Sequence, residues 1–186
     1  MSTLLPALPV PNFVLFPGCT VSLQFGFPAL QEQLQLATET GGKIIVAHSL
    51  QTNKGWVPAK VGCLAHVRQM KTTQHGLQAT LAGITRVELV QQRQIDDRLY
   101  WACEKIQTQK WSKKRIPELP GLPQMVKDCR TKLPPELWLD VAAFHLPNLP
   151  LEQKLHLLAE PDPNKRYYQL LESTRTAKKQ ARVSLN

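Results

Sequence analysis

The stretch VGCLAHVRQMKTTQHGLQATLAGITRVELV, residues 61–90, decides the fold class. Val61–Met70 and Leu77–Leu81 read as β-strands of apolar and polar residues. They are joined by the short connection Thr72–Gly76, a hairpin in which Gly76 is free to take positive φ. Ile84–Val90 reads as a further strand, pairing with Leu99–Gln107 across the polar link Gln91–Arg98.

Upstream of this block, Lys43–His48 is a strand built on Ile44-Ile45-Val46, and Ser49–Pro58 a polar loop with Trp56 near its end. Pro28–Thr40 places Leu30, Leu34 and Ala37 at i, i+4 and i+7, the spacing of an amphipathic helix. Pro28 fits a first helical turn and Gly41-Gly42 ends the element. Thr20–Phe25 reads as a strand, and Phe13-Val14-Leu15-Phe16 as a buried one stopped by Pro17-Gly18. About six strands interrupted by one helix is the pattern of a small, mainly antiparallel barrel or sandwich.

Downstream, the texture changes. KWSKKRIPELPGLP, residues 110–123, combines four basic residues with three prolines and a glycine. The charge changes with it: residues 1–109 carry 9 Lys+Arg against 6 Asp+Glu, and residues 110–186 carry 14 against 8. The expected division is a β-domain over 1–110 and a helical subdomain over 111–186. In the second part Pro134-Pro135 precede Glu136–Leu146, with Leu137, Val141 and Phe144 on one face. Asn148 is read as the cap of a helix facing Leu151, Leu155 and Leu158 inward. Asp162-Pro163 opens Asn164–Lys179, with Tyr167, Leu170, Leu171 and Thr174 on one stripe. Three helices this close in sequence are expected to pack as an antiparallel bundle with Leu137, Val141, Leu155, Leu158, Leu170 and Leu171 buried.

Composition removes several function classes. The 186 residues carry a formal net charge of +9, and no apolar run approaches the roughly 18 residues of a membrane span. The apolar start has no basic side chain before it and is broken by Pro6, Pro9 and Pro11, so a cytoplasmic protein is expected. Cys19, Cys63, Cys103 and Cys129 form no CxxC and read as reduced thiols behaving as small hydrophobes. The five histidines form no HExxH and no close pair, so neither a metal nor any other cofactor is expected.

The order of these blocks resembles the Lon protease amino-terminal (substrate-binding) domain. LPALPVPNFVLFPG (5–18) resembles its opening, a Leu-Pro-rich strand leading to an apolar run and Pro-Gly. VSLQFGFPALQEQLQLATETGGKIIVAHS (21–49) keeps its strand, Gly26, helix and Ile/Val strand. In residues 61–90, Val61-Gly62, the hairpin around Gly76 and Gly83-Ile84-Thr85-Arg86-Val87 match the family's order and spacing. LWLDVAAFHLPNLPLEQKLHLLAEPDPNKRYYQLLES (137–173) is similar to the helical part that follows. The resemblance implies an α+β fold, a PUA-like, mainly antiparallel β pseudo-barrel with one inserted helix followed by a small α-helical bundle. It implies a non-catalytic module that holds protein substrates, the partners being unfolded or degron-bearing segments or an AAA+ protease such as Lon itself. The chain would then act as adaptor, competitor or regulator in proteolysis. Two departures stand out: Phe27-Pro28-Ala29-Leu30 replaces the charged residues the family usually places after Gly26, and Lys110–Leu133 is a shorter connection than in full-length Lon proteases.

No catalytic residue is assigned. The chain has no G-x-x-x-x-G-K-[ST] phosphate loop. Ser49 beside His48, and Cys63 with His66, lack an elbow motif or a third group to orient a base. Asp96-Asp97 beside Arg93 and Arg98 reads as a solvated turn. Phe13, Phe16 and Trp101 read as barrel core. Phe25 and Phe27, which bracket a glycine, and Trp56 are the candidate protein-binding residues, because aromatic anchors dominate interfaces; the two phenylalanines could equally plug a barrel mouth. Lys113, Lys114 and Arg115 beside Lys110, and Lys178 and Lys179 beside Arg175 and Arg182, are candidate anion contacts. The alternative function they support is a PUA-like nucleic-acid-binding protein using the basic second half. Only Trp111 interleaves with these charges, so weak, non-specific binding is the expectation from this surface.

Overall fold

Pro6 interrupts the first strand of the chain, and the residues on its two sides pair with different strands. β1 (Thr3–Leu5) runs antiparallel to β7 (Arg98–Lys105), and β2 (Ala7–Val10) runs parallel to β4 (Lys43–Thr52). Between them the Pro6 carbonyl accepts from Ile45 N–H at 2.9 Å. The computed structural model describes residues 3–52, 55–112, 116 and 118–183, with side chains at all of these except 52, 55, 56 and 176–183. The remaining strands are β3 (Thr20–Phe25), β5 (Gly55–Thr73) and β6 (Gly76–Ile95). The sheet order is β1-β7-β6-β5-β4-β2, with β3 paired to β6 off that path. Because β1 and β2 are one stretch of chain, this order closes on itself. The result is an antiparallel-dominated barrel with a single parallel pair at the closure.

The barrel interior is apolar by strand alternation. Leu5, Ala7, Ile45, Val87, Leu89 and Cys103 form its buried cluster, with Leu64 and Trp101 packed against them. α1 (Pro28–Glu39) buries Leu34, Leu36 and Ala37, and its C-terminal Glu39 is paired with Arg98 at 2.6 Å.

Four features of the first unit differ from the sequence reading. The expected polar loop Ser49–Pro58 is strand at both ends, with β4 running to Thr52 and β5 beginning at Gly55, the two paired across it. Phe13–Phe16 is not a strand, although Val14, Leu15 and Phe16 are buried. It is flanked by Asn12 and Gly18, both at positive φ. The chain therefore turns away at each end before a ladder can form. β6 is one strand of 20 residues where two strands and a loop were expected. Gly83 does not end it; there a Cβ would collide with the Phe16 carbonyl, so glycine serves close packing. The link Gln91–Arg98 is mostly strand because Asp96 and Asp97 both take positive φ (48° and 61°), making a two-residue hairpin turn.

The described chain divides into two compact units, residues 1–106 and 107–186, where composition placed the change at 110/111. The second unit holds α2 (Gln124–Asp128), α3 (Pro135–His145), α4 (Leu151–Ala159) and α5 (Pro163–Val183). α2 is absent from the sequence reading. Its place is fixed by Trp138, whose indole N–H donates to the Val126 carbonyl at 2.9 Å. Val141, Leu158 and Leu170 are buried as expected, but Leu137, Leu155 and Leu171 are only half-buried. α3 is covered nearly all round, burying Trp138, Leu139, Asp140, Val141, Ala142 and Ala143. Asp140 is admitted there because Arg166 of α5 donates to its carboxylate, both side chains being almost fully buried. Asn148 does not cap α4; it sits at φ 59° in the preceding turn, and Pro150 occupies the cap position. Asp162 does act as a cap, its Oδ1 accepting from Asn164 N–H at 2.8 Å.

Candidate functional site

β3 alternates inward and outward until Phe25, which points in. The Phe25 ring is 4% exposed, and the residue pairs with Leu77 of β6. This corrects the reading of Phe25 as a contact residue: strand periodicity commits it to the core. Gly26 then breaks the alternation, and Phe27 takes the N-cap position of α1 with extended backbone (φ −83°, ψ 125°). Its carbonyl accepts from Leu30 and Gln31 N–H at 3.1 and 3.2 Å. The ring, freed from both strand and helix faces, is 75% exposed.

The corner is held from two sides. Gln31 Nε2 donates to the Phe25 carbonyl at 2.8 Å, tying the helix to the strand end. The β5–β6 turn closes against the same carbonyl. Gly76 at φ 115° leaves no room for a Cβ beside Phe25 O. Thr73 Oγ1 donates to the Gly76 carbonyl at 3.0 Å and accepts from His75 N–H and Gln24 Nε2 at 3.2 and 3.1 Å. Phe27 therefore stands on a fixed base, next to Gly26, which approaches the His75 carbonyl; Gln74 and His75 of the turn are exposed. Those two turn residues were missed from sequence, where only the glycine carried a signal.

Trp56 is not brought to this corner. Its backbone pairs with Gln51 at the start of β5, whereas the corner lies at the end of β5, next to Thr73; its side chain lies outside the described residues. Lys113, Lys114 and Arg115, and the side chains of Lys178 and Lys179, also lie outside them. Of the neighbouring basic residues, Lys110 and Arg175 are exposed.

The chemistry available elsewhere is limited. Ser49 is buried, His48 half-buried, and the His66 ring bonds its neighbour's Val67 carbonyl at 2.9 Å. Burial pushes the Cys103 thiol above its ordinary range. Among the described residues no group of three or more His, Cys, Asp or Glu is placed to hold a metal, and no helix is long and apolar enough to cross a membrane.

With this geometry in place, the model of the ATP-dependent protease La (LON) substrate-binding domain matches residues 4–175. The chain belongs to the Lon substrate-binding domain family. It is similar to the Lon N-terminal domain protein of Xanthomonas campestris, at 26% identity and a TM-score of 0.70, covering 91% of this chain and 98% of that one. The N-terminal domain of the Mycobacterium avium complex Lon protease shares the fold, at 17% identity and a TM-score of 0.74, covering 93% and 98%. No curated protein matches the chain by sequence. The α+β architecture with an antiparallel-dominated sheet is thus that of Lon N-terminal domains.

Proposed function

We propose that this Lon-type domain is a non-catalytic binder of unfolded protein segments, with Phe27 as its apolar anchor. The observation that carries the reading is a large ring exposed to 75% on a corner braced by Gln31 and Gly76, in a chain of the Lon substrate-binding domain family. A flexible loop would pay ordering entropy on binding; a braced corner has paid it on folding. The role that follows is delivery to, or competition with, an AAA+ protease.

Reduced, carboxymethylated lactalbumin carrying a fluorophore serves as the unfolded probe. The parent chain is expected to bind it, and Phe27→Ala to weaken binding about tenfold or more, the scale of an interface hot spot. Equal affinity in parent and variant overturns the assignment of Phe27. Added to an AAA+ protease degrading the same probe, the chain raises the rate if it delivers and lowers it if it competes.

A further inference from the structure

β3 is the strand left outside the closed ring. Among the described residues it pairs with β6 and with no other strand, and no turn or loop backbone bonds to its outer side. Which of its groups face outward follows from the pairing. Gly83 N–H donates to the Cys19 carbonyl at 2.8 Å, so that carbonyl and the N–H and C=O groups of Val21, Leu23 and Phe25 turn toward β6. Thr20, Ser22 and Gln24 turn theirs toward solvent. The Ser22 and Thr80 hydroxyls meet at 2.8 Å, the close side-chain approach expected of a non-hydrogen-bonded pair. The three outward residues are also exposed.

An open edge is a template for pairing, and proteins usually block one with Lys, Pro or a bulge. β3 reads TVSLQF: it has no charge, no proline and no register shift against β6. Other strand ends are also paired on one side only, and each carries such a guard: β7 beyond β1 has Arg98, engaged by Glu39, β5 beyond β4 has Arg68 and Lys71, β6 beyond β5 has Arg93, and β4 beyond β2 follows a register shift. β3 has none of these guards, and it runs directly into Phe27.

We infer that β3 binds its protein ligand by strand addition: an extended, uncharged polypeptide segment pairs its main chain with Thr20, Ser22 and Gln24 and reaches Phe27 at the strand end. This deepens the Phe27 reading and rests on it. Main-chain pairing supplies affinity without demanding a sequence, and the uncharged edge sets the chemistry of the segment. A second copy of this chain is the poorer occupant. Six residues present a strip roughly 20 Å by 5 Å, far short of the ~800 Å² per partner of a stable interface.

Amide hydrogen exchange of the full chain, read by NMR with and without the carboxymethylated lactalbumin probe, tests the inference. The Thr20, Ser22 and Gln24 amides are expected to exchange at least tenfold more slowly in the complex. The tightest-binding 12-residue peptide of the probe should lose binding when N-methylated on one set of alternate residues and keep it when methylated on the other. Binding that depends on Phe27 but leaves all three amides unprotected overturns strand addition and leaves the Phe27 reading standing. Absence of any probe binding overturns both. Protection that grows with protein concentration in the absence of probe, with dimers in sedimentation, assigns the edge to a second copy and overturns the inference.

Discussion

Phe25 and Phe27 share a side chain and are separated by one glycine, yet alternation buries the first and the helix start exposes the second. Phe25→Ala is expected to cost about 3–5 kcal/mol, as for a buried aromatic. Phe27→Ala should stay within about 0.5 kcal/mol of the parent in urea unfolding, as surface substitutions do. A large cost at Phe27 would show the ring to be structural. The buried Asp140–Arg166 pair makes a second residue-scale prediction. Removing one partner, as in Asp140→Ala, leaves an uncompensated charge and should cost about 3–5 kcal/mol, whereas replacing both with apolar residues should recover much of that loss. At the cap of α5, bonds from the Asn164 side chain and then its backbone hold the Asp162 carboxyl below its ordinary range. A depressed carboxyl stabilises the fold above its unfolded value and loses that contribution as pH falls through the folded one. Asp162→Ala should therefore lower the thermal midpoint at neutral pH and converge with the parent in acid.

Elements were legible where their period was clean and bounded. The β5–β6 hairpin, α1 and the start of α5 follow from alternation, Pro28 and Asp162-Pro163. The misread elements share one cause, because local pattern does not report what packs around an element. α3 looked one-sided through Leu137, Val141 and Phe144, but it is surrounded, and its ionised residue is admitted by a partner 26 positions away. Trp56 and Phe27 both looked like aromatics at loop or element ends, and only the length of β5 separates Trp56, near its start, from the corner beside its end. Two substitutions test this level by thermal unfolding. Leu170→Ala, at a fully buried position, should cost about 2–5 kcal/mol and half-buried Leu155→Ala clearly less. Gly76→Ala forces a Cβ onto the Phe25 carbonyl at φ 115° and should destabilise by more than about 1 kcal/mol.

For the whole molecule, charge was readable as a total and not as a surface. A net charge of +9 attracts polyanions whatever the fold. Binding to duplex DNA should be indifferent to sequence and fall with salt at a logarithmic slope of about −0.9 per phosphate contact, vanishing near physiological ionic strength. Filter binding across a salt series checks this, and sequence-selective binding that persists at high salt would move the functional reading to nucleic acid.

The closure at Pro6 also sets a timetable. Thr3 is registered with Cys103, so the strand that closes the ring leaves the ribosome a hundred residues (3 to 103) before its antiparallel partner. Hairpins β4–β5 and β5–β6 can form as they emerge, but β1 must wait for β7. Until then apolar Leu5, which is registered with Trp101, has no strand to pair with. Such long-range pairing places the first unit among slow folders, in the millisecond-to-second range. During synthesis, β1 is an apolar segment exposed while its partner strand is still unmade.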